Sequence, residues 1–185
     1  TIGITEKEYE EIIAAMRQGQ KGYFKPNKQI VEILTLEANL GLRVGDVLCL
    51  KLSNIIKDGN RYRLDITEQK TKKKRTFTVP SSIYEHIRLY CLENNIDTNE
   101  RMFNISSRQV QQYLAKVVNF LELDKNISTH SFRKFFATRV YENNDYNIVL
   151  VQTLLQHSSA AITQKYIGIG SKEIEEALAK NVIIV

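Results

Sequence analysis

The sequence has 185 residues, of which 43% are hydrophobic and 25% charged, a composition typical of a globular domain with a hydrophobic core. No apolar run approaches the roughly 20 residues that a helix needs to cross a bilayer, so the sequence predicts no membrane-spanning segment. The formal net charge of +5 favours an anionic partner such as nucleic acid but does not establish one. Cys49 and Cys91 lie far apart in apolar surroundings, and we expect them to be core residues of a cytoplasmic protein.

The first part of the chain predicts two helices. Thr5 and Glu8 have the spacing of a capping box and precede an apolar helical face. Residues 22–27 contain glycine and proline and end this helix. A second helix is expected from about Lys28 to Asn39, with Gly41 as its C-cap.

The middle of the chain changes to the period of β-strands. Apolar and polar residues alternate over 62–67 and again over 76–79, and the basic run Lys70–Lys74 separates the two segments. An earlier short strand around Leu52–Ile56 can turn through residues 58–60 into this pair. The pattern predicts a small antiparallel sheet of three strands, whose last connection carries lysines.

Helical periodicity returns after Pro80, where Ser81 or Ser82 is expected to cap a helix. Further helices are expected from about Ser107 to Leu121, near Phe132–Glu142, Ile148–Gln156 and Ile174–Lys180. The apolar tail, residues 181–185, is expected either to dock on a neighbouring subunit or to pack on its own domain. The fold class is therefore α+β, mainly α, with one domain over residues 1–185.

His130 and Arg133 are three residues apart at a predicted helix start. If Ser128 or Thr129 caps that helix, both side chains lie in its first turn, where free backbone N–H groups favour an anion. A phosphate there could accept a two-pronged contact from Arg133 and a hydrogen bond from His130. The alternative interpretation is an exposed basic helix start with a histidine at its cap.

Two further cationic elements lie upstream. Arg43 stands between Gly41 and Gly45, and either forms a structural ion pair with Asp46 or is oriented toward a phosphate by Asp46 or a backbone carbonyl. Residues 70–75 contain five basic residues in six positions, which is typical of a solvated hairpin tip or of a phosphate contact. In an enzyme that cuts DNA strands, one such lysine could protonate the departing 5′-oxygen.

His157 and Tyr166 complete the set of candidate residues. His157 follows the apolar pair at 154–155 and could simply cap the end of a helix. Tyr166 is one of nine tyrosines, most of which are expected to be packing residues. Neither residue alone indicates a function. They become informative only because they follow the upstream cationic residues in a particular order.

That order carries a resemblance to a known family. Four sequence motifs resemble those of the tyrosine recombinases, the phage-integrase family. They are GLRVGDVL at 41–48, THSFRK at 129–134, LLQHSS at 154–159 and QKY at 164–166. The family's series of Arg, Lys, His-x-x-Arg, His and Tyr falls on Arg43, Lys70, His130 with Arg133, His157 and Tyr166. The resemblance extends over nearly the whole chain and implies the catalytic fold of that family.

The resemblance implies a role for each of these residues. Tyr166 would be the nucleophile, and the other five catalytic residues would hold the phosphate or move protons. Lys72 is the second candidate for the catalytic lysine beside Lys70. Asp46 would help to orient the catalytic residues without contacting the phosphate itself. Asp46 stands where the family more often has Glu, and Gln156 where a Gly commonly precedes the histidine. Further DNA contacts would come from Lys72, Lys73, Lys74, Arg75 and Lys134.

The implied function is site-specific cleavage and rejoining of double-stranded DNA through a 3′-phosphotyrosyl intermediate, without metal, ATP or another cofactor. The resemblance also implies a homotetramer on DNA, a monomer or weakly associated chain when free, and no membrane partner. The gene would belong to a prokaryotic cell, phage or mobile element. The family's N-terminal core-binding domain has no room in this chain. The alternatives are a type IB topoisomerase and a DNA-binding module that does not cleave.

Overall fold

The structure is a computed structural model that describes residues 2–124, 126–157, 159–168 and 178–180. Two compact units divide the chain: residues 1–136 form unit 1 and residues 137–185 form unit 2. The tail at 181–185 lies outside the described residues, as does the helix predicted at Ile174–Lys180 except for its last turn. Within the described ranges, no helix is long and apolar enough to cross a membrane.

Unit 1 begins with two helices that pack together, α1 (Glu6–Gln18) and α2 (Lys28–Leu40). The predicted capping box is confirmed, because the Thr5 hydroxyl accepts from the Glu8 backbone N–H at 3.2 Å and Glu8 Oε2 accepts from the Thr5 N–H at 2.7 Å. Gly41 ends α2 in the left-handed conformation with φ 60°, as predicted. A Cβ at this position would also collide with the ring of Phe136, so glycine is required for two reasons.

The sheet consists of β1 (Ile55–Asp58), β2 (Arg61–Thr67) and β3 (Lys74–Val79) in the antiparallel order β1-β2-β3. This confirms the predicted three-stranded sheet. The first strand begins later than predicted, because residues 52–54 form a 3₁₀ turn. That turn is closed by the Lys51 N–H, which donates to Asn54 Oδ1 at 2.8 Å before strand pairing begins.

Two helices follow the sheet in unit 1. The first, α4 (Ser81–Glu93), begins with both serines already inside it, so the prediction that one of them caps the helix is wrong. Pro80 occupies the N-cap position, because its fixed φ of −55° leads directly into the first turn. The second, α5 (Ser107–Phe120), agrees with the prediction and is capped by the hydroxyl of Ser106. The short helix α3 (Val44–Val47) joins α2 to the sheet region.

The core of unit 1 lies between α1, α2, α5 and the sheet. It contains apolar side chains of α2 and α5 that each have at most 2% of their surface exposed: Ile30, Ile33, Leu34, Leu36, Leu114 and Val117. Burial of this much apolar surface is the main stabilising term for such a unit. It holds rigid the end of α2, which leads into the candidate site.

The third group of helices begins with α6 (Thr129–Asn143), which starts in unit 1 and continues into unit 2. It begins earlier than the predicted Phe132, so His130 lies in its first turn, whereas Arg133, the fifth helical residue, begins its second turn. Unit 2 contains α7 (Ile148–Leu155) and α8 (Ala160–Ile167), which pack against each other. The sequence did not predict α8, although Ser159 caps it by accepting from the Ile162 N–H at 3.4 Å.

Candidate active site

Arg43 stands at the corner between α2 and α3, at the N-cap position of α3 with extended backbone. The left-handed turn at Gly41 ends α2, and Arg43 follows two residues later at the edge of the core. Its side chain is 23% exposed, and its Nη1 nitrogen donates to Oε2 of Glu68 at 2.7 Å. A partly exposed guanidinium with a fixed carboxylate partner can still present its other N–H groups to an anion.

Glu68 is a buried partner of the candidate site residues that the sequence did not indicate. It lies directly after β2, and its side chain is 1% exposed. Its carboxylate accepts from Arg43, from the Thr71 hydroxyl at 2.6 Å and from Arg75 Nη1 at 3.3 Å. The available sequence signal was a single acidic residue at the entrance to a run of basic residues, because such a run needs a compensating charge if part of it is buried.

Asp46 was one of the groups expected to hold Arg43, and in the structure its side chain accepts a hydrogen bond from a different residue. The side chain is 4% exposed, and Oδ1 accepts from the backbone N–H of Gln69 at 2.7 Å. Asp46 therefore ties α3 to the β2–β3 connection, whereas Glu68 is the carboxylate that pairs with Arg43. Both acids support the site, but they hold different parts of it.

The β2–β3 connection carries Lys70 and Lys72, the two candidates for the catalytic lysine, and both are exposed. The connection is a closed turn, because the Glu68 backbone N–H donates to the Lys73 carbonyl at 2.9 Å and Lys72 adopts a left-handed φ of 57°. The positive charge of Lys70 contributes to lowering the pKa of His130, which puts these two residues near each other. This proximity favours Lys70 over Lys72.

Arg75 was expected on the DNA-facing surface, and its position in the structure is different. It is 1% exposed, and its guanidinium donates to the carbonyls of Gly41 at 3.2 Å and Leu40 at 3.4 Å, as well as to Glu68. The physical reason is strand alternation, since Arg75 shares the inward face of β3 with Phe77, whose ring centroid lies 5.1 Å from the guanidinium carbon. Burial, together with the charge of Arg133, lowers the pKa of Arg75 to about 10. Arg75 is an interior residue and is removed from the expected DNA contacts.

The remaining basic residues expected to contact DNA differ in exposure. Lys72, Lys73 and Lys74 are exposed on the hairpin, whereas Lys134 is half-buried, with its aliphatic chain beside Gly3. A lysine with a packed stem can still place its ammonium group in solvent. The hairpin lysines therefore form the more accessible cationic surface of unit 1.

His130 lies in the first turn of α6, as predicted, and Arg133 follows three residues later at the start of the second turn. Arg133 is 3% exposed. Partial burial of the imidazole, followed by the positive charges of Arg133, Lys70 and Arg43, lowers the pKa of His130 below its ordinary value of 6.5. Because charge effects of this kind act at short range, Arg43, Lys70 and Arg133 form one cationic cluster around His130.

A second buried carboxylate lies near this cluster. Glu37, on α2, is 0% exposed. Burial raises its pKa well above the ordinary value, and the positive charge of Arg133 offsets only part of that effect. The carboxyl of Glu37 is thus an interior neighbour of a predicted phosphate-binding arginine, and the sequence analysis did not identify it.

His157 and Tyr166 come together in unit 2. Gln156 ends α7 in the left-handed conformation with φ 54°, which explains why glycine is common at this point in the family pattern and shows that glutamine also adopts it. The next residue, His157, places Nδ1 3.0 Å from the hydroxyl oxygen of the fully buried Thr163. The rings of His157 and Tyr166 meet edge to face, with centroids 5.4 Å apart and planes at 77°. The fixed imidazole thus lies directly beside the phenol.

No cluster of three or more His, Cys, Asp and Glu side chains that could hold a metal ion occurs in the part of the chain that the structure describes.

Comparison with solved structures defines the class of fold. A XerH site-specific recombinase bound to palindromic difH substrate matches with a TM-score of 0.71 and 18% identity over 96% of this chain and 52% of that chain. The catalytic domain of bacteriophage HP1 integrase matches with a TM-score of 0.66 and 21% identity over 97% of this chain and 95% of that domain. The protein has the fold of a tyrosine recombinase catalytic domain.

Sequence comparison shows the family. The sequence model of the phage integrase family matches residues 3–172, and the chain belongs to this family, that of the tyrosine-type site-specific recombinases. A probable integrase/recombinase YoeC of Bacillus subtilis is 32% identical over 77% of this chain and 79% of that protein. Tyrosine recombinase XerC of Caldanaerobacter subterraneus is 27% identical over 80% of this chain. The chain spans only 44% of the length of that XerC.

Proposed function

We propose that this chain cleaves and rejoins double-stranded DNA at a specific site through a covalent 3′-phosphotyrosyl intermediate. The observation that carries the proposal is the cationic cluster of unit 1, in which Glu68 accepts from Arg43 at 2.7 Å and from Thr71, the residue after Lys70, at 2.6 Å, and in which the charges of Arg43, Lys70 and Arg133 act on His130. Such a cluster suits an anionic phosphodiester, which otherwise repels an oxygen nucleophile.

Arg43 and Arg133 would bind the non-bridging oxygens of the scissile phosphate. A guanidinium is always charged and offers parallel N–H donors that match phosphate geometry. In the transition state these donors would stabilise the negative charge that spreads over the phosphoryl oxygens. His157, held by Thr163, would add one more donor from unit 2.

His130 would act as the general base. A tyrosine phenol has an ordinary pKa of about 10, so it enters the reaction protonated and must lose its proton as it attacks. The cluster's charges and partial burial keep the imidazole of His130 neutral near pH 7, which leaves a ring nitrogen able to accept that proton.

The step balances without an external reactant. A bond forms between the Tyr166 phenolic oxygen and phosphorus, while the bond between phosphorus and the 5′-oxygen breaks. The phenolic proton passes to His130, and Lys70 donates a proton to the departing 5′-oxygen. The phosphotyrosyl ester retains the energy of the broken bond, so attack by a 5′-hydroxyl reverses the step and reseals a strand without ATP or a metal ion.

Exchange between two duplexes requires the cleavage of four strands, and each Tyr166 can attack one. We therefore propose a homotetramer on DNA and weaker association without it. The exposed hairpin lysines would bind the DNA backbone, with an affinity that falls steeply as salt rises. Double-stranded DNA as the partner is supported by the matched structures, which include XerH recombinase bound to its difH substrate. DNA of a prokaryotic cell would place the reaction in the cytoplasm.

The test is formation of a covalent adduct on nicked duplexes with a randomised half-site. The nick lets the short 5′-ended fragment diffuse away after cleavage and so traps the intermediate. We expect wild-type protein to retain DNA on a denaturing gel and Tyr166→Phe to retain none while still binding DNA. Sequencing of the retained DNA would define the site, and a four-way junction product from paired sites would separate a recombinase from a topoisomerase. Binding without any wild-type adduct would refute the proposal and favour a non-cleaving module.

A further inference from the structure

Glu68 links two groups that the proposed reaction needs and that are distant in sequence. Its Oε2 oxygen accepts both from Arg43 Nη1 at 2.7 Å and from the Thr71 hydroxyl at 2.6 Å. The first contact reaches back 25 residues to the corner between α2 and α3. The second holds the residue directly after Lys70. We propose that Glu68 is a positioning residue that fixes Arg43 and Lys70 relative to each other, an inference that rests on the proposed function.

The turn around Lys70 is tethered on both sides. On one side, the Gln69 backbone N–H donates to Asp46 Oδ1 at 2.7 Å. On the other side, the Thr71 hydroxyl donates to Glu68 and accepts from the Lys73 N–H at 3.3 Å. Lys70 lies between these tethers with an exposed side chain. The lysine is therefore carried by an ordered turn and not by a flexible hairpin tip.

The carboxylate of Glu68 is suited to this task because it remains charged. Burial raises its pKa. Hydrogen bonds from Thr71 and Arg43 and the positive charges of Arg43 and Arg75 lower it by more than burial raises it, so the net pKa lies below the ordinary value. A charged acceptor binds these donors more strongly and at shorter distance than a neutral one. The same oxygen then restrains the guanidinium and the turn together.

The third partner explains why Glu68 cannot simply be removed. Arg75 is buried and donates to Glu68 Oε1 at 3.3 Å, so deletion of the carboxylate would remove an ion-pair partner of a buried guanidinium. Glu68→Ala is thus expected to unfold unit 1 as well as to disturb catalysis. Thr71→Val offers a cleaner test, because it removes the hydroxyl that ties the turn to Glu68 and retains the ion pairs to both arginines. Thr71→Ser keeps the hydroxyl and is the matched control.

The roles of Lys70 and Arg43 are separable by changing the leaving group. Sulfur in place of the bridging 5′-oxygen leaves as a thiolate and needs no proton, whereas the non-bridging oxygens still need Arg43. A defect that arises from a misplaced Lys70 should therefore disappear on the sulfur substrate. A defect that arises from a misplaced Arg43 should persist.

The experiment compares single-turnover adduct formation on nicked duplexes of the selected sequence with oxygen or sulfur at that position. We expect Thr71→Val to be slower than wild type by about tenfold or more on oxygen and by less than about threefold on sulfur. Thr71→Ser should stay close to wild type on both, and Glu68→Gln, with folding checked by thermal denaturation, should be slow on both.

Two results would overturn the inference alone: an unchanged rate for Thr71→Val on oxygen, or an equal loss on oxygen and sulfur. Wild-type protein that forms no adduct with either substrate would instead overturn the proposed function, and this inference with it. The two failures are therefore distinguishable.

Discussion

Arg43 Nη1 and Glu68 Oε2 lie 2.7 Å apart and join the corner that follows α2 to the connection that follows β2. The sequence predicted that Asp46, its near neighbour, or a backbone carbonyl would hold the arginine. The longer-range partner makes the site a product of the tertiary fold, because α2 and the sheet must both be in place before the guanidinium is held.

Arg75 provides a test of the interior part of this arrangement. We expect Arg75→Ala to lower the free energy of unfolding by about 3 kcal/mol, since it removes the buried donor to Glu68 Oε1 and to the carbonyls of Leu40 and Gly41. The measurement is chemical denaturation of the purified chain. Lys73→Ala on the exposed hairpin should change stability by less than about 0.5 kcal/mol and is the control. Equal stability of the two variants would contradict the interior role.

The pKa of His130 distinguishes Lys70 from Lys72. Since the positive charge of Lys70 contributes to holding the pKa of His130 below 6.5, Lys70→Ala should raise that pKa. Lys72→Ala, in the same turn, should leave it unchanged. Titration of the imidazole by NMR measures both. A larger rise with Lys72→Ala would make Lys72 the neighbour of the histidine.

The sign of the same shift gives a dependence of stability on pH. Because the folded pKa of His130 lies below the unfolded value, protons bind preferentially to the unfolded chain. The contribution of His130 to stability is therefore present above about pH 6.5 and is lost as the pH falls through the folded pKa. Lys70→Ala should flatten this dependence in denaturation curves collected between neutral and mildly acidic pH.

The contribution of Glu37 to the pH dependence of stability should have the opposite sign. Its folded pKa is raised well above the ordinary 4.5, mainly by burial, so its stabilising contribution is present at low pH and is lost as the pH rises toward the folded pKa. Glu37→Gln cannot ionise and should gain stability relative to wild type as the pH increases from about 4.5. Unfolding free energies of the two proteins across this range provide the check. A constant difference would show that Glu37 titrates normally.

Gln156 tests the backbone at the end of α7. Its φ of 54° is tolerated by glycine without strain and by unbranched residues at moderate cost, but poorly by β-branched ones. We expect Gln156→Gly to remain within about 1 kcal/mol of wild type and Gln156→Val to lose about 1–2 kcal/mol. Thermal denaturation of both variants measures the difference. Equal effects would remove the left-handed conformation as the constraint.

Several features were predictable from local patterns. The capping box at Thr5, the left-handed end at Gly41 and the spacing of His130 and Arg133 each depend on neighbours within one turn of helix. The three-stranded sheet followed from alternation with period 2, because side chains on a strand point to opposite faces.

The misses have a shared physical origin in contacts between distant segments. Glu68 gains its importance from Arg43 and Arg75, which meet only when the sheet packs against the end of α2. Arg75 was grouped with its basic neighbours, although the alternation over β3 places it on the same face as Phe77. A strand pattern extended by one residue, from 76 to 75, would have indicated the burial of Arg75. It would not have identified the partners of that arginine.

The central claim, that Tyr166 becomes covalently joined to DNA, is tested most directly by mapping the adduct. Wild-type adduct would be digested with nuclease and trypsin, and mass spectrometry would locate the residual nucleotide. Cleavage after Lys165 and Lys172 releases Tyr166 as the only tyrosine of its peptide, so the assignment is unambiguous among the nine tyrosines of the chain. We predict a nucleotide on this peptide alone. A nucleotide on any other residue would contradict the account.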